Sequence, residues 1–310
     1  MKDARPARPS PTSLMSLPAA PTKMELHTRH ALGGFALPLA LLAALLLAAP
    51  TICRAQDEAQ AHSDAAPSID EENELAQDGP YAGGEKMDEA TTLLFKGIAQ
   101  RRDGDNEGAL ATLNLLLEMP DLHAGTRAEA LFYHALANYY TGNIEGEEAD
   151  YDTILALPNA PAEWVAAAHI NRGVNKENCS DKDGALADYS LAIETPDVPV
   201  YRLCAALYQR ACLKGEMGDS AGEIADYSAV IDMPGAPAVQ KAWSLLNRAI
   251  GRGQQGDSSG EMTDYDTLIA MPDAPDEARG EAFRNRGIMK AEKGDILGAL
   301  ADYTAAIELS

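Results

Sequence analysis

The stretch ADYSLAIETPDVP, residues 187–199, returns with few changes as ADYSAVIDMPGAP at residues 225–237. Three further copies, ADYDTILALPNAP from 149, TDYDTLIAMPDAP from 263 and ADYTAAIELS from 301, place their tyrosines at a constant step of 38 residues. A sixth, more divergent copy, ATLNLLLEMPDL from 111, keeps the register with leucine in place of tyrosine. A fixed period of this length is typical of stacked-repeat architectures. The sequence therefore predicts a chain built from six similar units.

Each unit contains two helical patterns separated by a turn. The turn reads Gly-Asp or Gly-Asn in five units and Ser180-Asp181 in the third. Glycine adopts the left-handed conformation that ends a helix, and Asp or Asn caps the next one. The second helix stops at a proline, and in four units another proline three residues later is predicted to be the first residue of the next helix. Those four are Pro161, Pro199, Pro237 and Pro275.

The stretch NRGIMKAEKGDILGALADYTAAIEL, residues 285–309, closely resembles the tetratricopeptide repeat. The small residue which that family needs in its first helix is present in every unit. These positions are Gly97, Ala135, Gly173, Ala211, Ala249 and Gly287. The resemblance covers residues 86–310 as a repeat domain. It implies an all-α fold, an α-solenoid of about six helix hairpins that form a right-handed superhelix.

Two departures from the family pattern have structural consequences. The family's usual period is 34 residues, so the four extra residues, about one helical turn, predict a longer first helix in each unit. The small residue expected in the second helix is kept as Ala109, Ala185 and Ala299. Glutamate takes that place in the other units, at Glu147, Glu223 and Glu261. We expect those helix pairs to close less tightly.

A glycine also recurs in the first turn of every second helix, although glycine there costs up to about 1 kcal/mol relative to alanine. The six are Gly108, Gly146, Gly184, Gly222, Gly260 and Gly298. Six such costs indicate a steric need, for which we predict close approach of a neighbouring helix. Weak selection at a helix start is the alternative.

Charged residues recur at fixed spacing as well. Arg172, Arg210, Arg248 and Arg286 are each followed sixteen residues later by Asp188, Asp226, Asp264 and Asp302. Because these positions can face each other in a helix hairpin, we predict structural ion pairs. His134 and Asp150 fit the pattern in the second unit. In the first unit, Lys96 is followed by Thr112, so no acidic partner is present. A second row of cations comprises Lys176, Lys214, Arg252 and Lys290. We expect these to neutralise nearby acidic side chains, with a rail for an acidic partner as the alternative.

The N-terminal part differs in composition from the repeats. Basic residues precede an uncharged run from Ala31 to Cys53, so we expect residues 1–55 to be an N-terminal extension and signal peptide, cleaved near Ala55. Met24 is the alternative start of the chain. The run is also long enough for an uncleaved signal anchor, which would be the only membrane contact we predict. Residues 56–85 carry nine acidic side chains and no Lys or Arg, as in a disordered linker. In either case we expect the repeats outside the cytoplasm, exported to the periplasm or secreted.

The charge of the chain and its sequence motifs limit the possible classes of function. Without residues 1–55 the chain has 19 basic and 46 acidic side chains, a net charge of −27, which argues against nucleic acid as a partner. Phosphate-binding loops, zinc-ligand spacings and serine-nucleophile motifs are absent, so we predict no catalytic residue, metal or cofactor, and no enzyme activity. Cys179, Cys204 and Cys212 are an odd number after signal removal. We expect buried thiols and no disulfide framework.

The resemblance implies that the first helices line a concave groove that receives a protein or peptide partner. Carrying the groove positions over assigns them to Arg101, Arg102, Tyr139, Tyr140, Glu177, Tyr208, Arg284 and Glu292. Tyr and Arg are common binding hot spots. Tyr139 and Tyr140 alternatively cover the hinge between units. The lysine of the family's clamp for C-terminal carboxylates is missing, which argues against a receptor for such tails.

The sequence therefore predicts a non-catalytic interaction scaffold of the cell envelope or secreted space. The last second helix, which ends beside Ser310, has an apolar face that predicts self-association or docking onto another protein. Two alternatives remain for the function: a membrane-anchored assembly factor, and an accessory or regulatory subunit of an envelope enzyme.

Overall fold

The computed structural model describes residues 88–309, and every regular element within this range is an α-helix. Twelve helices follow one another here as six hairpins, which confirms the predicted α-solenoid. The hairpins are α1 (Glu89–Arg102) with α2 (Asn106–Leu117), α3 (Ala124–Thr141) with α4 (Ile144–Ala156), α5 (Ala162–Asn178) with α6 (Lys182–Glu194), α7 (Val200–Glu216) with α8 (Ser220–Asp232), α9 (Ala238–Gln254) with α10 (Ser258–Ala270), and α11 (Asp276–Glu292) with α12 (Ile296–Glu308). The right-handed sense of the superhelix stays a prediction.

The predicted signal segment at residues 1–55 and the acidic linker at 56–85 lie outside the described residues, as do the first two residues of the repeat domain. Among the helices that are described, no stretch is both long and apolar enough to cross a bilayer.

The first helix of a hairpin is longer than the second. In the last four hairpins it has 17 residues, whereas the second helix has 13. The difference is about one helical turn. That the four extra residues of the period lengthen the first helix beyond the family's own stays a prediction.

The turn inside each hairpin is made by a left-handed residue followed by a capping residue. Five of the left-handed residues are glycines, such as Gly218 with φ of 82°, and in the third hairpin Ser180 adopts φ of 66°. The residue that follows accepts a hydrogen bond from the backbone N–H three residues later, as Asp181 Oδ1 does from Gly184 at 3.0 Å. The same bond caps all six second helices, which confirms the turn chemistry.

The capping side chain also explains the glycine that donates to it. A Cβ added to Gly184 or Gly260 would lie 2.1 Å from an oxygen of the capping carboxylate, that of Asp181 or Asp257. In the first hairpin Gln100 Nε2 would lie 2.5 Å from a Cβ on Gly108. The steric need is confirmed. The closest atom belongs to the cap of the same helix, and in the first, second, fourth and fifth hairpins a side chain of the first helix also lies within 3.0 Å of the added Cβ, so the predicted approach of a neighbouring helix is confirmed in part.

The prolines between hairpins lie one residue earlier than predicted. Pro161, Pro199, Pro237 and Pro275 are N-caps, and each first helix begins at the residue that follows. Their φ of −56° to −58° suits a helix, but their ψ of 140° to 143° is extended. A residue with that ψ precedes the helix, although its carbonyl already accepts the first helical hydrogen bonds.

The tyrosine that marks the repeat forms the contact between the two helices of a hairpin. Tyr151, Tyr189, Tyr227 and Tyr265 are all fully buried. A Cβ on Gly173 would lie 2.6 Å from the ring of Tyr189. The small residue of the first helix is therefore required because this ring lies directly against it.

Successive hairpins are joined through their first helices. Each first helix from α3 to α11 packs against the second helix of the preceding hairpin, and first helices of adjacent hairpins also contact one another. Leu245, Leu268 and Met289, from α9, α10 and α11, belong to one buried cluster. Buried apolar contacts therefore join the fifth and sixth hairpins, as between neighbouring units of a solenoid.

Candidate partner-binding face

The four predicted Arg–Asp pairs are all present, and together we call them the ion-pair ladder. Each arginine donates from Nε and Nη2 to the two oxygens of its aspartate, with distances between 2.6 and 3.0 Å. His134 Nδ1 lies 2.7 Å from Asp150 Oδ2, and Thr112 donates to Gln100 instead of pairing with Lys96. The predicted structural role of these residues is confirmed.

A second cation, one helical turn beyond each arginine, binds the same carboxylate. Lys176 lies 2.6 Å from Asp188, Lys214 2.7 Å from Asp226, Arg252 2.8 Å from Asp264 and Lys290 2.8 Å from Asp302. Burial alone would raise the pKa of Asp188, but hydrogen bonds from His169, Arg172 and Lys176 bring it well below its usual range. The row of cations therefore neutralises buried acids, as the first interpretation predicted.

The ladder also reaches the preceding hairpin, which the sequence reasoning missed. Arg172 Nη1 donates to Asp152 at 2.8 Å, and Arg286 Nη1 to Asp266 at 2.6 Å. At the equivalent joints Arg210 and Arg248 donate to the hydroxyls of Ser190 and Ser228, at 3.2 and 2.8 Å. Each arginine thus ties two consecutive second helices together. The acceptor always follows the repeat tyrosine, and that constant position was the available signal.

The eight predicted groove residues occupy three repeat positions on the first helices. In the fourth hairpin these positions are Tyr208, Gly215 and Glu216. They are spaced i, i+7 and i+8, so they lie on one face of a helix. We call this the groove face. It includes Arg101, Tyr139 and Glu177 at the position of Gly215, Arg102, Tyr140 and Glu292 at that of Glu216, and Arg284 at that of Tyr208.

The structure brings one pair of these residues into contact. Tyr139 and Tyr140 pack edge to face with ring centroids 5.2 Å apart, and Tyr140 keeps 51% of its surface exposed. Arg102 and Glu292 are also exposed. These side chains leave accessible surface on the groove face, at the second hairpin and at both ends of the array.

The other predicted groove residues are half-buried and have partners within the chain. The guanidinium of Arg101 lies 5.8 Å from the ring centre of Tyr133, and Glu177 accepts a hydrogen bond from Tyr189 at 3.0 Å. Tyr208 accepts from Asn247 at 2.7 Å, and its ring packs against Tyr227. Arg284 pairs with Glu281 on the same helix. A partner that contacts these four side chains would meet groups that already have intrachain partners.

Two of the three glutamates that depart from the family pattern, Glu223 and Glu261, are accommodated by glycines. A Cβ on Gly215 of the same hairpin would lie 2.8 Å from the carboxyl carbon of Glu223. Gly253 similarly faces Glu261, with a Cβ position 2.6 Å from its carboxyl carbon. Burial raises the pKa of both carboxyl groups. The glycines supply the space that the smaller residue of the second helix provides elsewhere.

A buried arginine joins three hairpins and has no counterpart in the repeat pattern. Arg202, near the start of α7, is fully buried, and its guanidinium carbon lies 5.0, 5.5 and 5.8 Å from the ring centres of Tyr201, Phe132 and Trp164. Glu163 lies 3.8 Å from its Nη2. Contacts of this kind between a cation and aromatic rings favour close packing. The other units hold different residue types at this position, so no periodic signal marked it.

The cysteines of the described range are all free, and they differ in burial. Cys204 is buried, which raises the pKa of its thiol to about 11. Cys179 is exposed at the end of α5, so the prediction of buried thiols is wrong for this residue. Within residues 88–309 no group of three His, Cys, Asp or Glu side chains comes together as a metal site would require.

The sequence matches no protein-family model and no curated protein. Among solved structures it is similar to a tetratricopeptide repeat protein from Parabacteroides merdae ATCC 43184, at 17% sequence identity and a TM-score of 0.47. The similarity covers 81% of this chain and 94% of that chain.

Proposed function

We propose that this array of tetratricopeptide-like hairpins is a non-catalytic scaffold that binds a protein or peptide partner along the groove face. The supporting observation is the Tyr139–Tyr140 pair, in which Tyr140 is exposed and Tyr139 packs against it. Large, rigid aromatic rings contribute much contact area at a small entropic cost, which is why Tyr is frequent among hot-spot residues. The repeated charged residues have a structural role, which supports a non-catalytic function. The aspartates of the ion-pair ladder are all paired with cations and therefore stabilise the fold.

Capture of partners from native envelopes tests the groove face. The variant Tyr139→Ser/Tyr140→Ser removes the aromatic pair, and Leu191→Ser changes an exposed apolar residue on a second helix as a matched control. We expect the double variant to lose a partner that the native chain and the control both retain, with helicity unchanged by circular dichroism. Equal capture by all three proteins would refute the assignment and favour the alternative that the pair covers a hinge.

Export of the scaffold to the periplasm or extracellular space is part of the same proposal. Its support is the basic and then apolar sequence before residue 55. N-terminal sequencing of the mature protein tests it, since cleavage predicts a start near Gln56. A retained N-terminus in the membrane fraction would instead favour the anchored assembly factor. Capture dominated by a single enzyme would favour the accessory or regulatory subunit.

A second interaction is proposed for the outer face of α12. Leu297 is 81% exposed, and Ile296, Leu300 and Ile307 are exposed as well. The residues equivalent to Leu300 and Ile307 in the fifth hairpin, Met262 and Ile269, pack in the buried cluster shared with α11. We propose that a second copy covers this face. Leu297→Ser/Leu300→Ser should then abolish a concentration-dependent increase in mass by sedimentation, and a native chain that stays monomeric at high concentration would refute it.

A further inference from the structure

Glu223 is a half-buried acid whose side chain makes no hydrogen bond or ion pair with any described residue. The aspartates of the ion-pair ladder, by contrast, each bind two cations. Lys214, on the same hairpin, donates its bond to Asp226. Partial burial of a carboxylate without a cation is unfavourable. An unpaired group of this kind is a candidate for recognition of a ligand.

Two glycines from consecutive hairpins form the walls around this carboxylate. A Cβ on Gly215 of α7 would lie 2.8 Å from its carboxyl carbon, and one on Gly251 of α9 would lie 3.2 Å from Oε2. We call this arrangement the Glu223 notch. Any larger residue at Gly215 would occupy the space beside the carboxylate, so the width of the notch depends on the absence of a side chain.

The notch lies at a groove-face position. Gly215 is the repeat equivalent of Arg101, Tyr139 and Glu177. In the second hairpin, where this position is Tyr139, the equivalent carboxylate of Glu147 is fully buried. In the fourth hairpin glycine replaces the tyrosine, and Glu223 is only half-buried. The exchange of tyrosine for glycine accompanies exposure of a carboxylate on the groove face.

The charge of the molecule favours a cationic occupant. The chain carries 48 acidic and 25 basic side chains, a formal net charge of −23. A field of that sign attracts positively charged segments and repels acidic ones. Burial also raises the pKa of Glu223, as expected for a carboxylate that lacks a counter-charge.

We infer that the Glu223 notch binds a lysine or arginine side chain of the protein partner. The ammonium or guanidinium would donate charge-assisted hydrogen bonds to the carboxylate and replace its missing counter-charge. Glu261 beside Gly253, one repeat further along, provides a second point of attachment for a basic segment. The inference rests on the proposed function, since it requires the partner to lie along the groove face.

Titration of the full-length chain with acetyl-tetralysine-amide tests the inference directly. Calorimetry at low salt should show Glu223→Gln weakening the affinity by about tenfold, the effect of losing one hydrogen bond to a charged group. Glu194→Gln is the control, since it removes the same charge from an exposed site on α6. Its effect should stay below about twofold, as expected for a distant, screened charge.

A second variant tests the notch without changing the charge. Gly215→Ala places a Cβ against the carboxylate and should weaken tetralysine binding while leaving the net charge unaltered. Equal affinities for the native chain, Glu223→Gln and Glu194→Gln would overturn the inference, as would an undetectable affinity of the native chain. Glu223→Gln is isosteric and removes an unfavourably buried charge, so loss of folding does not confuse the result.

The two proposals fail separately. If Tyr139→Ser/Tyr140→Ser loses a captured partner but Glu223→Gln affects neither capture nor tetralysine binding, the groove-face function stands and the notch inference is wrong. If tetralysine binding depends on Glu223 but the tyrosine pair has no effect on capture, the notch stands and the aromatic assignment is wrong.

Discussion

Replacing Asp264 by asparagine tests the ion-pair ladder most sharply. The Asp264 side chain is 2% exposed and accepts three bonds from two guanidinium groups, from Arg248 at 2.8 and 3.0 Å and from Arg252 at 2.8 Å. Asparagine keeps the shape but removes the charge, and its amide NH₂ cannot accept a hydrogen bond. Breaking one side of a buried pair costs about 3–5 kcal/mol because the other charges stay buried.

The same helix supplies a matched control. Asp266, two residues later on α10, pairs with Arg286, but its side chain is 56% exposed. Exposed pairs contribute about 1 kcal/mol or less, so Asp266→Asn should have a small effect. A loss of 3 kcal/mol is a large fraction of the roughly 5–15 kcal/mol that stabilises a domain.

Urea denaturation followed by circular dichroism measures both variants. We expect Asp264→Asn to lower the unfolding midpoint strongly, and Asp266→Asn to shift it slightly. Equal, small shifts would refute the reasoning, because they would show that the bidentate geometry adds nothing beyond a surface ion pair. A large shift for Asp266→Asn alone would place the stabilising contact between hairpins instead of within them.

Three further predictions concern capping, the joints between hairpins and pH. Gly260→Ala should displace the Asp257 cap and so destabilise the native chain by about 0.5–2 kcal/mol, but it should stabilise a variant that already carries Asp257→Ala. Thermal melts of the native chain, the two single variants and the double variant test this. A change of stability of the same sign in both backgrounds would contradict it. Ser228→Asp should turn the hydroxyl contact of Arg248 into an ion pair and add about 0.2–1 kcal/mol, measured by urea midpoints against Ser228→Ala. Burial raises the pKa of Glu223, so the folded chain binds this proton more tightly and stability should rise as pH falls from 7 towards the ordinary value of 4.5. Stability should then fall below about 3.8, because the pKa of Asp188 is lowered in the fold and the unfolded chain takes up the proton of that carboxyl first. Glu223→Gln should flatten the rise, and an unchanged profile in that variant would contradict the assignment.

Periodicity made most of the fold predictable. The step of 38 residues fixes six equivalent units, so a feature seen once is tested five more times within one chain. The pairing of Arg172 with Asp188 was predictable for that reason, since opposed positions repeat with complementary charge. The bridge from Arg210 to Ser190 was missed because its acceptor changes between serine and aspartate.

The binding face was less predictable than the hairpins. Side-chain type marked Tyr208 as a hot-spot candidate, but its hydrogen bond with Asn247 depends on the contact between α7 and α9. From the sequence, Glu223 was expected only to loosen its helix pair. Its surroundings could not be predicted because its glycine neighbours, Gly215 and Gly251, lie on two different helices. Pro161 is the N-cap instead of the first helical residue because proline fixes only φ, whereas its ψ is set by the turn.

The alternation of acceptors in the ladder has a mechanical consequence. At the joints before α5 and before α11 the ladder arginine reaches an aspartate of the preceding hairpin, whereas at the joints on either side of the fourth hairpin it reaches a serine hydroxyl. Both kinds of bond have a charged donor, but a serine hydroxyl lacks the negative charge with which an aspartate attracts the guanidinium. We therefore expect the ladder to contribute less stiffness at the two joints beside the fourth hairpin than at the joints before α5 and α11.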